Sequence, residues 1–323
     1  MTVLVTGSAG FIGYHTCKVF LKKKYKVLGI DNLNPYYSVK LKKKRIDLLS
    51  ENYKSQFQFF KIDLTNKEKI KKIFNKYKPK IVIHLAAQAG VRYSIENPDQ
   101  YIKSNILGFF NILDCARVAK IKFFFYASSS SVYGNNKNFP LSEKYRTDDQ
   151  LSLYAATKKS NEIIARSYFN IFGFKSVGMR FFTVYGPYGR PDMFMFKLLE
   201  SMYFKKKLYV YNNADHFRDF TYIDDVVNSI FLLSKSKKII NKNLVVNIGR
   251  GSSIGLKKII KYVQELTGKK PNLKFIKMQK GDVKKTHSDL SNLRSLIEYS
   301  PKIDYRKGLL LFIDWYKKYK KIN

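Results

Sequence analysis

The first half of the chain alternates short β-rich runs with longer stretches of helical spacing. The runs Thr2 to Thr6, Lys26 to Ile30, Phe57 to Lys61, Lys80 to His84 and Lys122 to Ala127 read as strands, with helices between them. Such alternation predicts a parallel sheet covered on both faces by right-handed crossovers. The expected fold class is therefore α/β, a Rossmann-like doubly wound parallel sheet. After about residue 180 the pattern changes: Pro187 and Pro191 stand in a glycine-bearing loop, and the segments become shorter and less regular. Tyr222 to Ser234 and Asn243 to Ile248 again read as helix plus strand, so the chain is expected to return to the first domain. The division this implies is 1–180 with 221–249 as one domain, and 181–220 with 250–323 as a smaller C-terminal α/β domain.

The first loop reads Gly7-Ser8-Ala9-Gly10-Phe11-Ile12-Gly13, directly after a strand and opening a helix, with Asp31 at the end of the second strand. This is a dinucleotide fingerprint in its required context, spaced G-x-x-G-x-x-G. Glycines let the backbone approach a pyrophosphate, the helix N-terminus supplies N–H groups and positive dipole, and Asp31 can accept from an adenosine ribose. Asn32 and Leu33 follow the acid and no arginine does, which favours NAD over NADP.

Composition narrows the remaining classes. A chain of 323 residues with 45% hydrophobic content can bury a full core. Cys17 and Cys115 lie far apart in helix-like stretches, so neither a metal or redox pair nor a disulfide framework is expected, and a reducing compartment fits. The N-terminus runs straight into the glycine loop, and no apolar run reaches the roughly 20 residues that cross a bilayer; a cytoplasmic protein without a membrane span is expected. His15, His84, His216 and His287 show no ligand spacing, and no metal is expected. The net charge of +37 is spread over every segment, from Lys22 to Lys24 through Lys317 to Lys321, with no aromatic-interleaved basic motif. It reads as a lysine-rich surface that also favours phosphate-rich substrates, not as a nucleic-acid site.

Tyr154 and Lys158 are four apart, which on a helix places them on one face. An ammonium beside a phenol favours the phenolate, so Tyr154 is a candidate base. Upstream, Ser128, Ser129, Ser130 and Ser131 end a strand at the edge of the sheet where ligands bind, and their hydroxyls can hold a sugar alcohol.

The glycine loop, Leu85-Ala86-Ala87-Gln88-Ala89-Gly90, the serine strand end, Tyr154 with Lys158, and Arg218-Asp219-Phe220-Thr221-Tyr222-Ile223-Asp224-Asp225 together resemble the extended short-chain dehydrogenase/reductase family over essentially the whole chain. Ala89 to Pro98 and Arg180 to Met193 resemble the UDP-glucuronate 4-epimerases of that family. The resemblance implies an NAD-dependent 4-epimerase of a UDP-sugar, UDP-glucuronate first. Tyr154, assisted by Ser129, would take the 4-hydroxyl proton, and Lys158 would bind the nicotinamide ribose. It further implies cofactor contacts from Gly7, Gly10, Phe11, Ile12, Gly13, Asp31, Asn32, Asp63, Leu64, Leu85, Ala86, Ala87 and Asn105. Substrate contacts are implied from Ser128, Ser129, Ser130, Thr183, Arg190, Lys197, Arg218 and Asp282. Thr183 and Arg190 are the carboxylate candidates: family members handling neutral sugars often carry Asn where Thr183 stands, and arginine binds a carboxylate through two parallel hydrogen bonds. Relatives pair through helices matching Pro98 to Val118 and Leu151 to Phe172, implying a homodimer.

A 4,6-dehydratase would need an acidic pair where Ser130 and Ser131 stand. An epimerase of a neutral UDP-hexose or UDP-N-acetylhexosamine and a decarboxylating UDP-glucuronate enzyme are the nearer alternatives. A non-enzymatic NAD-binding regulator is disfavoured by the intact Ser129, Tyr154 and Lys158.

Overall fold

The structure, a computed structural model, describes residues 1–239, 242–278 and 281–322. The expected strands form as β1 (Thr2–Thr6), β2 (Lys26–Asp31), β3 (Phe57–Lys61), β4 (Ile81–His84) and β5 (Phe123–Ser129), followed by β6 (Ser176–Phe181). Short strands β7 (Thr183–Tyr185), β8 (Leu208–Tyr211), β9 (Phe217–Arg218) and β10 (Phe220–Tyr222) precede β11 (Leu244–Ile248), and β12 (Ile254–Gly255) and β13 (Leu273–Ile276) complete the set. Seven strands make one parallel sheet in the order β11-β6-β5-β4-β1-β2-β3. The chain winds outward from β1 to β3, then returns to β4 on the other side of β1. Between β1 and β4 the winding reverses, and the crevice above their carboxyl ends is where such sheets bind ligands.

Why these runs pair is visible in β1. Val3 and Val5 belong to the core on one face of the sheet and Leu4 to the core on the other, all fully buried. A strand apolar on both sides can only sit between two helical layers. The layers are α1 (Phe11–Lys22), α2 (Val39–Asn52), α3 (Lys67–Tyr77), α4 (Val91–Glu96), α5 (Pro98–Tyr101), α6 (Gly108–Val118) and α7 (Leu153–Phe172), continued by α8 (Phe194–Phe204), α9 (Ile223–Leu233), α10 (Leu256–Thr267), α11 (Ser291–Leu296) and α12 (Tyr305–Lys320).

The stretch Pro98 to Val118 is not one α-helix. Between α5 and α6, residues Ile102–Leu107 form a wider π-helical turn. Asn105 lies in that turn with its side chain buried.

Beyond β6 the small strands pair among themselves: β7 with β10, β9 with β12 and β8 with β13. Two acids of the Arg218 to Asp225 stretch fasten this region. Asp219 accepts from the backbone of Arg250, Gly251 and Ser288 at 2.6, 3.0 and 3.0 Å. Asp225 accepts from Tyr299 Oη at 2.5 Å and from the backbone of Lys302 and Ile303. Both carboxylates are buried and saturated with donors, so their role is to hold distant loops together. No described helix is long and apolar enough to cross a membrane.

Candidate active site

A cavity of about 770 Å³ opens above the carboxyl ends of β1, β4, β5 and β6, and nearly every residue singled out from sequence lies on its wall.

At one end the glycine loop turns tightly out of β1. Gly7 has φ of +71°, and a Cβ there would come within 2.7 Å of the Ala86 backbone, so only glycine fits. A Cβ on Gly13 would sit 2.0 Å from the Gly7 carbonyl oxygen. Helix α1 begins at Phe11 with Gly10 as its cap, which brings no side-chain acceptor, and its first turn carries no acid. The leading N–H groups of α1 thus face the cavity wall formed by Gly10, Phe11, Ile12 and Gly13 with their positive dipole unquenched. That donor set fits a diphosphate. Asp31 closes β2, buried, with its carboxylate receiving Ala9 N at 3.2 Å and Leu33 N at 2.8 Å. Burial raises its pKa, and the nearby Lys42 ammonium opposes the shift. Asn32 donates to Asp63 at 2.8 Å, and Leu64, Leu85, Ala86 and Ala87 supply apolar wall beside them.

Asn105 is the exception among the expected cofactor contacts. It lies behind the wall, not on it: its side chain accepts from Gln88 N at 2.8 Å and donates to Gln88 O and to Thr157 Oγ1, both at 3.0 Å. Every strong hydrogen bond the amide can make in that place goes to protein, so it braces the Leu85 to Gly90 loop against α7.

In the middle of the cavity, Ser152 caps α7 by accepting Ala155 N at 3.2 Å, and Tyr154 and Lys158 follow on the inward face. The stripe continues one turn further to Glu162, a spacing visible in the sequence but not used there. Lys158 Nζ donates to Ala127 O at 2.8 Å, and burial pulls its pKa down to about 8. Tyr154 is pushed up by burial, while a hydrogen bond with Ser129 and the Arg190 cation pull it back. The desolvated Lys158 is turned to the end of β5. Ser129 Oγ also caps the short turn Ser130–Tyr133 by accepting Ser131 N at 3.1 Å, and Ser130 and Ser131 line the cavity beside it.

Ser128 lies on the cavity wall as well. Its hydroxyl donates to Glu162 Oε1 at 2.5 Å, and Glu162 is gripped from the other side by Arg180 Nε and Nη2 at 2.9 and 2.8 Å. That bond ties β5 to the buried Glu162–Arg180 ion pair, which joins α7 to β6.

Thr183, Arg190, Lys197, Arg218 and Asp282 line the same cavity. Arg218 and Asp282, chosen independently, form an ion pair at 2.8 Å. His216 lies 3.5 Å from the other oxygen of Asp282, its pKa lowered by burial and by Arg218. Thr183 is held by its backbone N–H on Asp219 O at 3.0 Å. Arg190 is joined through Nε and Nη2 to Asp192, a residue the sequence reading passed over although it stands two positions away. Among the described residues no group of three or more His, Cys, Asp or Glu side chains could hold a metal.

The model of the NAD dependent epimerase/dehydratase family matches residues 3–249, well over half of the chain. The chain belongs to that family. Its cofactor is NAD, and the glycine loop and Asp31 lie where the donor set fits a dinucleotide. Members similar over full length include the protein CapI of Staphylococcus aureus, 42% identical over 99% of this chain and 100% of the relative. A UDP-glucuronate 4-epimerase of Thermodesulfobacterium geofontis is 39% identical over 97% of this chain and 95% of its own length. The crystal structure of the UDP-glucuronic acid 4-epimerase of Bacillus cereus, in complex with UDP-glucuronic acid and NAD, superposes with a TM-score of 0.93 at 35% identity, covering 99% of this chain and 100% of that one.

Proposed function

We propose that this family member is an NAD-dependent UDP-glucuronate 4-epimerase, interconverting UDP-glucuronate and UDP-galacturonate through a 4-keto sugar. The observation that carries the reading is the sharing of one cavity by the fingerprint loop, the Ser129, Tyr154 and Lys158 group, and the cations Arg190 and Arg218. Full-length similarity to UDP-glucuronate 4-epimerases supports it.

When bound, NAD supplies a reversible hydride acceptor for sugar C4. The protein's own residues do the rest. As the phenolate, which the Ser129 hydrogen bond and the Arg190 cation favour and the positive charge of bound NAD⁺ would favour further, Tyr154 Oη would take the 4-hydroxyl proton and give it back when the hydride returns. Lys158, neutral above about pH 8, holds the ribose side of the site against β5. Arg218 with Asp282 meets the nucleotide, and Arg190 with Thr183 meets the uronate carboxylate. Holding that carboxylate matters chemically, because a 4-keto uronate is a β-keto acid that loses CO₂ when its geometry allows. The ketone turns in the cavity before the hydride returns to its other face.

The same reading divides the chain into 1–180 with 221–249 for cofactor and 181–220 with 250–323 for substrate, supported by the return of β11 to the main sheet. It makes the protein a cytoplasmic homodimer. The dimer is supported by exposed apolar side chains on α7 and the π-helical turn before α6, where Ile102, Leu107, Ile163, Ile171 and Phe172 are 44% to 67% exposed.

Separate incubation with UDP-glucuronate, UDP-glucose and UDP-N-acetylglucosamine tests the assignment. UDP-galacturonate should form from the first, with deuterium placed at C4 retained in the product. Turnover of a neutral sugar alone, or a UDP-pentose as the main product, would replace the reading by one of its alternatives.

A further inference from the structure

Arg190 is not a free cation waiting in the cavity. Asp192, across Pro191, accepts from both Nε and Nη2 of its guanidinium, the Nε contact at 3.0 Å. Tyr36 donates its hydroxyl to the same carboxylate at 3.1 Å, and the guanidinium carbon lies 5.8 Å from the centre of the Tyr36 ring. Tyr36 in turn packs on Tyr93 with ring centres 4.7 Å apart. All four side chains line the cavity. The pKa of Asp192 is lowered: burial raises it, but the Arg190 cation and the donors of Arg190 and Tyr36 outweigh that.

An anion placed inside a cavity for an anionic sugar nucleotide opposes its ligand unless it is committed elsewhere. Here it is committed twice over. Of the five N–H donors of a guanidinium, Asp192 takes one on Nε and one on Nη2. The guanidinium also has an outer edge, with one N–H on each Nη, whose parallel-fork geometry matches a carboxylate. Tyr36 comes from the loop that follows Asp31 at the end of β2, so the clasp on Arg190 is built partly from the cofactor side of the cavity.

We infer that Asp192 is a positioning residue for this site: with Tyr36 it clamps the inner edge of Arg190, so that the outer edge is presented, already oriented, to the carboxylate of a UDP-uronate. The inference rests on the uronate reading of the site. Asp192 touches neither substrate nor cofactor in this role. It acts through Arg190, and its effect should be confined to ligands that carry a sugar carboxylate.

The test is a double-mutant cycle of Asp192→Ala and Arg190→Ala on the NAD-loaded enzyme, reading dissociation constants for UDP-glucuronate, UDP-glucose and UDP, together with the fraction of decarboxylated product. Asp192→Ala should weaken UDP-glucuronate at least fivefold, leave UDP and UDP-glucose within twofold, and raise the decarboxylated fraction. Added to Arg190→Ala it should cost nothing further. Asp192→Asn, which keeps the volume but sets an amide N–H₂ against a guanidinium N–H, should give the same selective loss to a smaller degree and guards against misfolding of the alanine variant. Unchanged or tighter UDP-glucuronate binding by both Asp192 variants, with Arg190→Ala still weakened, overturns the positioning role alone. Loss of all three ligands together overturns it in favour of a merely structural carboxylate. If Arg190→Ala itself leaves uronate binding untouched, the carboxylate reading of Arg190 falls and takes this inference with it.

Discussion

Arg218 and Asp282 are 64 positions apart in the chain and meet at 2.8 Å on the wall of the cavity. The guanidinium also donates to Phe217 O and Lys284 O, both at 3.1 Å, so its plane is fixed by three acceptors. Removing it deletes both a charge and a prearranged donor. Arg218→Ala should weaken UDP by roughly 10- to 100-fold, the size of a charge-assisted hydrogen bond lost to a ligand. Titration calorimetry with UDP reads this directly; equal affinity would move the nucleotide elsewhere in the cavity.

Tyr154→Phe removes only an oxygen from a ring that packs edge-on against Tyr101 at 6.1 Å. The fold, NAD content and UDP-glucuronate affinity should survive, while turnover falls by about 10²- to 10⁴-fold or more, as for loss of a general acid–base group. Turnover within tenfold of the parent would assign the proton transfer to another group. Because burial raises Tyr154, cofactor-free protein should show no tyrosine ionising near neutral pH in an ultraviolet titration.

Lys158 carries a stability cost. Its pKa falls from an ordinary 10.5 to about 8 on burial. Between those values the unfolded chain binds the extra proton, so this residue's contribution to stability rises with pH across that window and is at its worst, and constant, below pH 8. In cofactor-free protein Lys158→Met should therefore be more stable than the parent at pH 7, by up to about 3 kcal/mol less the lost bond to Ala127, with the gap shrinking to below about 1 kcal/mol at pH 10. Denaturant unfolding at both pH values measures it. A gap that stays constant, or widens, contradicts the burial argument. Activity should be lost in the same variant.

Glu162 and Arg180 form the buried pair beneath the serine strand end, with side chains 7% and 4% exposed. Glu162→Ala strands a buried guanidinium and should destabilise the fold by about 3 to 5 kcal/mol, whereas replacing both partners by apolar residues of similar volume should recover most of that. Urea unfolding of the single and double variants separates the two cases. A mild single-mutant effect would mean that water reaches the pair.

Much of the site was legible because its logic is local. The glycine spacing, Asp31 after β2, and the four-residue step from Tyr154 to Lys158 depend only on neighbours along the chain and on the period of a helix. The same step from Lys158 to Glu162 was equally readable, but a carboxylate inside an apolar sheet end gains meaning only when Arg180 arrives from β6. For Asn105 and Ser128 the family resemblance implies ligand contacts. Gln88 and Thr157 take the amide hydrogen bonds of Asn105, and Glu162 takes the one proton of the Ser128 hydroxyl, which distant elements alone decide.

The sequence by itself determined the parallel α/β winding, the glycine loop and the placing of Tyr154 and Lys158 on one helix face, since periodicity, glycine geometry and helical register are properties of short segments. The tertiary structure alone decided which charges face one another: Arg218 with Asp282, Arg190 with Asp192, Glu162 with Arg180. A polar side chain inside a protein is defined by whichever distant group satisfies it, and burial makes that choice strict, because an unpaired charge there costs more than any local preference can offset.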